Sequence, residues 1–473
     1  MTFDLVIRNA ECATATDVWH SDIGISQGRI EAIGRGLAGA RREIDAEGRL
    51  VLPGGIDPHC HIDQLTSQGL RTADDFASGT ISAAFGGTTT ILSFAVQPRG
   101  ESLRRAVDEY HRAAEGKAVS DYSFHMIVTD PTPQVLGQEL PALIRDGHTS
   151  IKVYMTYDAL RLDDRQALDV LDLARREGAV VMVHAESHDL IGWMTGRLLE
   201  QGHTEPKFHA LARPAITERE ATHRAITMAE LVGQPIYVVH VSGEGSMRQI
   251  AEAQAQGLRI FAETCPQYLL LTARDLDRPG FEGAKYCCTP PPRDQDSQRA
   301  LWRGLATGIF QAVSSDHSAF RFGDTKGKLA FGSSAPFNRI PQGLPGLETR
   351  LPLLFSEGVG SSRLTLNQFV ALTATEPAKI FGLYPRKGTI AVDSDADLVI
   401  WDRDREVEIR AEDLHDAMDY TPYEGRMVRG WPDVVLSRGD VVCLRDELMV
   451  SPGRGKFLRR SPDTSLSLHR VSF

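Results

Sequence analysis

Between residues 54 and 385 the sequence alternates short apolar runs with amphipathic stretches, and this alternation restricts the chain to few folds. TTTILSF, DYSFHMIVTD, SIKVYMT, AVVMVHAE, PIYVVHVS, LRIFAETCP and FQAVSSDHS read as strands buried on both faces. DRQALDVLDLARREG, between two of them, puts Leu168, Leu171 and Ala174 on one helix face and supplies Gly178 as a C-terminal cap. Buried parallel strands alternating with such helices over this length predict an α/β fold, a TIM-like (β/α)8 barrel. Strand-like text without helices occupies residues 1–53 and returns over residues 386–450, so the two ends are expected to complete one small β-sandwich. Residues 451–473, which begin SPGRGKFLRRSPD, are polar and basic and read as a surface tail or subunit-contacting arm.

Charge narrows the partners. With 63 acidic against 52 basic residues the net charge is -11, which gives no footprint for nucleic acid or an anionic membrane surface. The opening MTFDLVIRNAECATATD has no cationic region ahead of an apolar core, and no window is long and apolar enough to span a bilayer. A soluble, cytoplasmic protein acting on a small molecule is the expectation. Cys12, Cys60, Cys265, Cys287, Cys288 and Cys443 form no C-x-x-C pair and are expected to be reduced thiols.

Residues able to do chemistry fall at the strand ends. His59 and His61 in GGIDPHCHID follow an apolar run, and side chains two apart on an extended backbone point the same way, so both can grip one ion. Lys152 lies inside SIKVYMT, His184 ends AVVMVHAE, His240 ends PIYVVHVS, and Asp316 ends FQAVSSDHS. Taken singly, each is explained by packing: a lysine with a buried stem, or a satisfied core or cap residue. Jointly they recur at successive strand ends, which converge on one face of a barrel where active sites form.

The order His-x-His, Lys, His, His, Asp resembles the amidohydrolase superfamily, and within it the cyclic-amidase group of dihydropyrimidinase and hydantoinase. Further stretches look like that group's signatures in order, among them TADDFASGTISAAFGGTTTI, CTPPPRDQ, IPQGLPGLETRLPLLFSEGV and TATEPAKIFGLYPRKGTIAVDSDADLVIWD. The resemblance implies a barrel carrying two zinc ions, with manganese or cobalt as substitutes. His59, His61 and Asp316 would hold one ion and His184 and His240 the other, bridged by an N6-carboxylated Lys152. Carboxylation is required because an ammonium has no acceptor, whereas a carbamate offers one oxygen to each ion. The implied reaction is attack of a metal-bridging hydroxide on the amide of a dihydropyrimidine or 5-substituted hydantoin, giving an N-carbamoyl amino acid. Tyr157 would stabilise the developing oxyanion and Asp316 would relay the proton.

For substrate binding the resemblance points to main-chain groups at Thr289 and Gln342, where the group has serine and asparagine. Gln64, Leu65 and Phe94 are expected in loops facing the exocyclic substituent, with Thr66, Ser67 and Gln68 adding polarity. His317 is read as structural and Glu186 as a partner of a ligand histidine. The group also implies a homo-oligomer, tetramer or dimer. Two alternatives stay open: an allantoinase or dihydroorotase, the latter using a cation such as Arg71, Arg99 or Arg293, and a non-catalytic assembly protein on the same fold.

Overall fold

The computed structural model describes residues 2–66 and 68–462. The first strands are β1 (Leu5–Ala13), β2 (Val18–Ser26), β3 (Arg29–Gly34), β4 (Glu43–Asp45) and β5 (Leu50–Pro53). Eight more follow: β6 (Gly55–Cys60), β7 (Thr88–Val96), β8 (Asp121–Ile127), β9 (Ser150–Tyr154), β10 (Val180–His184), β11 (Ile236–Val238), β12 (Ile260–Thr264) and β13 (Ala312–Val313). These eight lie side by side in chain order, every neighbouring pair parallel. At the C-terminal rim the ring closes through a parallel bridge between Cys60 and His317, and Asp316 N donates to His59 O at 2.9 Å. The (β/α)8 expectation is met.

Local chemistry explains the elements. In the helix Asp164–Glu177, Asp163 and Gln166 cap each other's backbone, and Gly178 ends the helix at φ 74°, where a side chain would strain. Its buried face is Ala167, Val170, Leu171 and Ala174, with Leu168 half-buried at the margin. Gly54, just before β6, is required by a close approach: a Cβ there would stand 2.2 Å from Thr89 Oγ1. In β9, Ile151 and Val153 pack outward among the helices, while Lys152 and Tyr154 turn into the barrel. Ile56, Leu92, Phe94, Ile127, Met182 and Tyr237 fill that interior, so the barrel is packed rather than hollow.

The chain ends with β14 (Leu398–Glu408), β15 (Met427–Ser437), β16 (Asp440–Leu444) and β17 (Glu447–Leu448). They join the N-terminal strands in one sheet of order β17-β16-β15-β14-β5-β1-β2-β3, with β4 beside β1. The seam is the antiparallel pairing of β5 with β14, Val51 opposite Ile400. The sheet curls so that Ile30 N donates to Ser394 O at 2.9 Å, enclosing a core of Ile7, Ile23, Val51, Leu398 and Leu436. Among the described residues no helix is long and apolar enough to cross a membrane.

Part of the C-terminal stretch is tied to the barrel: Tyr122 N donates to Lys456 O at 3.0 Å and Leu458 N to Tyr122 O at 2.7 Å. Leu458 is fully buried in the barrel's interior cluster, and Arg460 donates to Ser150 Oγ at 2.8 Å. The cause is apolar surface at the N-terminal mouth of the barrel, which Leu458 covers. Residues 463–473 lie outside the described residues.

Candidate active site

At the C-terminal rim the strand ends bring His61, His184, His240 and Asp316 to one cavity of ≈ 910 Å³, with His59 and Lys152 buried beside them. His59 and His61 leave β6 on the same side, and their Nε2 atoms lie 3.1 and 3.4 Å from Asp316 Oδ1. Cys60 between them turns away, its thiol towards Leu92 O. His184 Nδ1 and His240 Nε2 face each other at 2.8 Å. The rings form a chain, with centroids 5.3 Å apart for His61 and His59, 5.4 Å for His59 and His240, and 4.5 Å for His240 and His184. Lys152 Nζ sits between the two groups. It is 5.1 Å from the Phe94 ring, which packs on His59 and His61, and 5.2 Å from the Tyr154 ring, which stacks on His184.

Three of the four imidazoles are oriented by a partner on their other nitrogen. His59 Nδ1 donates to Glu263 Oε1, and that carboxylate also accepts from Tyr237 Oη at 2.8 Å. His61 Nδ1 donates to Gln64 Oε1 at 2.6 Å, and His184 Nε2 to Glu186 Oε2 at 2.8 Å. Glu186 is held in turn by Arg213 at 2.7 Å. His59 Nε2 is left without a hydrogen-bond partner; with its Nε2 donating to Glu186, His184 Nδ1 accepts from His240 Nε2–H, which leaves His240 Nδ1 as the free lone pair. Burial pushes His184 and His240 well below the ordinary histidine range, which keeps them neutral and able to ligate. Burial works against the Asp316 carboxylate, but the neighbouring His59, His61 and His240 hold it well below its usual value. Lys152 is fully buried, has no hydrogen-bond partner at Nζ, and is lowered by burial to about 7.

Part of this set could hold a metal ion. His59, His61 and Asp316 have donor atoms within 4.8 Å of one another, and His240 Nδ1, like Lys152 Nζ, is buried without a partner. Imidazole and carboxylate without thiolate is a donor set that suits zinc. The backbone is strained here: Tyr157, His240 and Asp316 have φ of 70°, 41° and 47°, unusual for non-glycine residues and concentrated at functional sites.

Tyr157 faces the same cavity, its ring 5.4 Å from His184. Its hydroxyl donates to Gln342 Oε1 at 3.4 Å, and Thr289 Oγ1 donates to the same oxygen. Thr289 and Gln342 are thus brought to Tyr157, but through their side chains and not only through the main chain. Other expectations need correction. Phe94 is no loop residue; it is fully buried in β7 as the packing surface under His59 and His61. Gln64 and Thr66 line the cavity, though the Gln64 carbonyl accepts from the His61 imidazole N–H and the Thr66 oxygen accepts from Leu70 N at 3.2 Å. Leu65 does line the cavity and is exposed, while Ser67 lies outside the described residues. Arg293 is buried against Glu218 at 3.0 Å and does not line the cavity. Arg71 and Arg99 do line it, but they are bonded to Asp63 and to the Ala159 and Arg161 carbonyls. Reading the strands missed Glu263 and Arg213; a lone acid inside the apolar IFAET was the available signal for the first. His317 bonds Asp74 at 3.1 Å and accepts from Gly346 N at 3.2 Å, a bracing role.

The amidohydrolase family signature matches residues 50–442. A D-hydantoinase of Geobacillus stearothermophilus is 48% identical over 459 residues, 96% of each chain. A solved D-hydantoinase structure superimposes with TM-score 0.94 at 46% identity, covering 97% of this chain and 99% of that one. The crystal structure of a dihydropyrimidinase from Brevibacillus agri gives TM-score 0.94 at 44% identity, covering 97% and 98%. The chain belongs to the amidohydrolase family, a hydrolase grouped there with the D-hydantoinases and dihydropyrimidinases.

Proposed function

We propose that this protein is a binuclear zinc cyclic amidohydrolase that opens a 5-substituted hydantoin or a dihydropyrimidine to an N-carbamoyl amino acid, with the D-configured ring preferred as in the relatives' names. In this reading His59, His61 and Asp316 hold one ion, His184 and His240 the other, and carboxylated Lys152 bridges them. The observation that carries it is Lys152 itself: a buried, unpartnered amine between two histidine groups has no structural use as it stands. When bound, the two ions supply Lewis acidity and lower the pKa of water towards about 7.

The chain's own residues do the rest. The Tyr157 hydroxyl, kept protonated by burial, turns from Gln342 to donate to the oxygen of the scissile carbonyl. Asp316 is an ionised acceptor at the reacting atoms and carries the proton from the attacking water to the leaving ring nitrogen. Thr289 and Gln342 bind the opposite, imide edge of the ring. The substituent side is walled by Leu65, Tyr110, Leu160 and Phe337, while Gln64, Thr66 and Gln68 also line the cavity, the Gln64 carbonyl being taken by His61 and the Thr66 oxygen by Leu70 N. The apolar part of that wall favours apolar or aryl substituents. A homo-oligomer, as the resemblance implies, is part of this reading.

A panel of hydantoin, phenylhydantoin, dihydrouracil, allantoin and dihydroorotate, assayed for ring opening by the zinc-loaded protein, tests the reading. Opening of hydantoins or dihydrouracil is expected. Opening of allantoin or dihydroorotate alone selects the neighbouring activity, and no opening with two ions bound leaves the assembly role.

A further inference from the structure

Lys328 lies outside the proposed metal site, in the loop between β13 and the 3₁₀ turn Phe337–Arg339, and it is fully buried. Its Nζ donates to three main-chain carbonyls, Cys287 O at 3.0 Å, Pro341 O at 2.7 Å and Gly343 O at 2.9 Å. Those bonds use every donor an ammonium has. Among the described residues it forms no ion pair, and burial lowers it to about 8, so it is still mostly protonated at neutral pH. Burying an unpaired charge is costly, and a methionine would fill the same space more cheaply if packing were the only demand.

The carbonyls it gathers belong to two separate loops. One carries Thr289 and the other Gln342, the side chains that meet at the Tyr157 hydroxyl. The loops also touch directly, through Gly343 N donating to Cys287 O at 2.9 Å and through the Thr289 hydroxyl on Gln342 Oε1. Gly343 sits at φ 140°, and a Cβ on it would fall 2.0 Å from Ser318 O, so this turn tolerates no side chain. Because a trans peptide sets its C=O and N–H on opposite sides, drawing Pro341 O to Lys328 turns Gln342 N–H away from it. The Lys328 backbone is itself pinned, its N–H donating to Arg321 O at 2.8 Å.

We propose that Lys328 is a positioning residue for substrate: its ammonium ties the 287–289 and 341–343 loops together and so fixes the edge against which the ring's imide side is read. This rests on the proposed cyclic-amide function. The test uses zinc-loaded, full-length Lys328→Met and Lys328→Gln, with hydantoin as substrate, metal analysis, and hydrogen exchange on the substrate-free protein. In Lys328→Met, KM is expected to rise about 10-fold or more while kcat stays within about threefold, because charged hydrogen bonds are lost away from the reacting atoms. Two ions per chain remain, Lys328→Gln recovers part of the KM, and exchange quickens in peptides holding 287–289 and 341–344 but not in those holding His59 and His61. An unchanged KM overturns the proposal, as does a joint loss of kcat, KM and metal, which would mean a purely structural role. If the unmutated protein opens no cyclic amide, the functional reading fails separately, and exchange alone decides: unchanged exchange in both loops overturns the tie.

Discussion

Replacing Lys152 with methionine tests the two-metal reading through energetics as well as activity. In the metal-free protein the amine is fully buried without a partner, and burial lowers its pKa from 10.5 to about 7. A drop of that size corresponds to about 5 kcal/mol of destabilisation by the charged lysine. The unfolded chain binds this proton more tightly than the folded one. The cost is therefore fully present below pH 7, shrinks as pH rises from about 7 towards 10.5, and vanishes above that. Methionine has similar length and nothing to desolvate. Chelator-stripped Lys152→Met is thus expected to exceed stripped wild type in stability by about 3–5 kcal/mol at pH 6, with the gain fading towards pH 10. Loading with zinc and bicarbonate should invert the order, since only the lysine can become a bridging carbamate; the variant should hold at most one ion and lose ring opening. Urea unfolding across pH 6 to 10, metal analysis and a hydantoin assay read these outcomes. A stripped variant less stable than wild type at pH 6 refutes the burial argument, and a variant with two ions and full activity refutes the bridge.

Two further outcomes follow from particular contacts. Tyr157→Phe should lower kcat about 100-fold with KM and metal content little changed, because the hydroxyl acts on charge that develops in the transition state; an unchanged kcat removes Tyr157 from that role. Leu458→Ala should cost about 2–4 kcal/mol in urea unfolding, since the side chain is fully buried in the barrel interior, and a loss near zero would show that the tail does not seal the barrel.

Much of the site was legible because barrel geometry converts a one-dimensional pattern into a place. His59, His61, Lys152, His184, His240 and Asp316 all sit at or near the ends of apolar runs, and parallel strands bring such ends to one rim. Period-two alternation also told which side of β6 the histidines share and why Cys60 leaves them. Glu263 was not legible as a partner of His59, since the two are 204 residues apart and meet only across the barrel interior. Phe94 was misplaced for a related reason: its run continues as strand to Val96, so its ring points into the interior before any loop begins.

Sequence by itself determined the alternating elements, the barrel they imply, and the candidate metal-binding side chains at its strand ends, because periodicity and residue chemistry are local. Tertiary structure alone decided which polar groups are already satisfied. Gln64 looked free to meet a substrate but is bound to His61, Arg293 looked available but is paired with Glu218, and Lys328 carried no signal until three carbonyls converged on it. A hydrogen bond is spent or available only once both partners have a position, and positions across a barrel are set by packing between segments far apart in the chain.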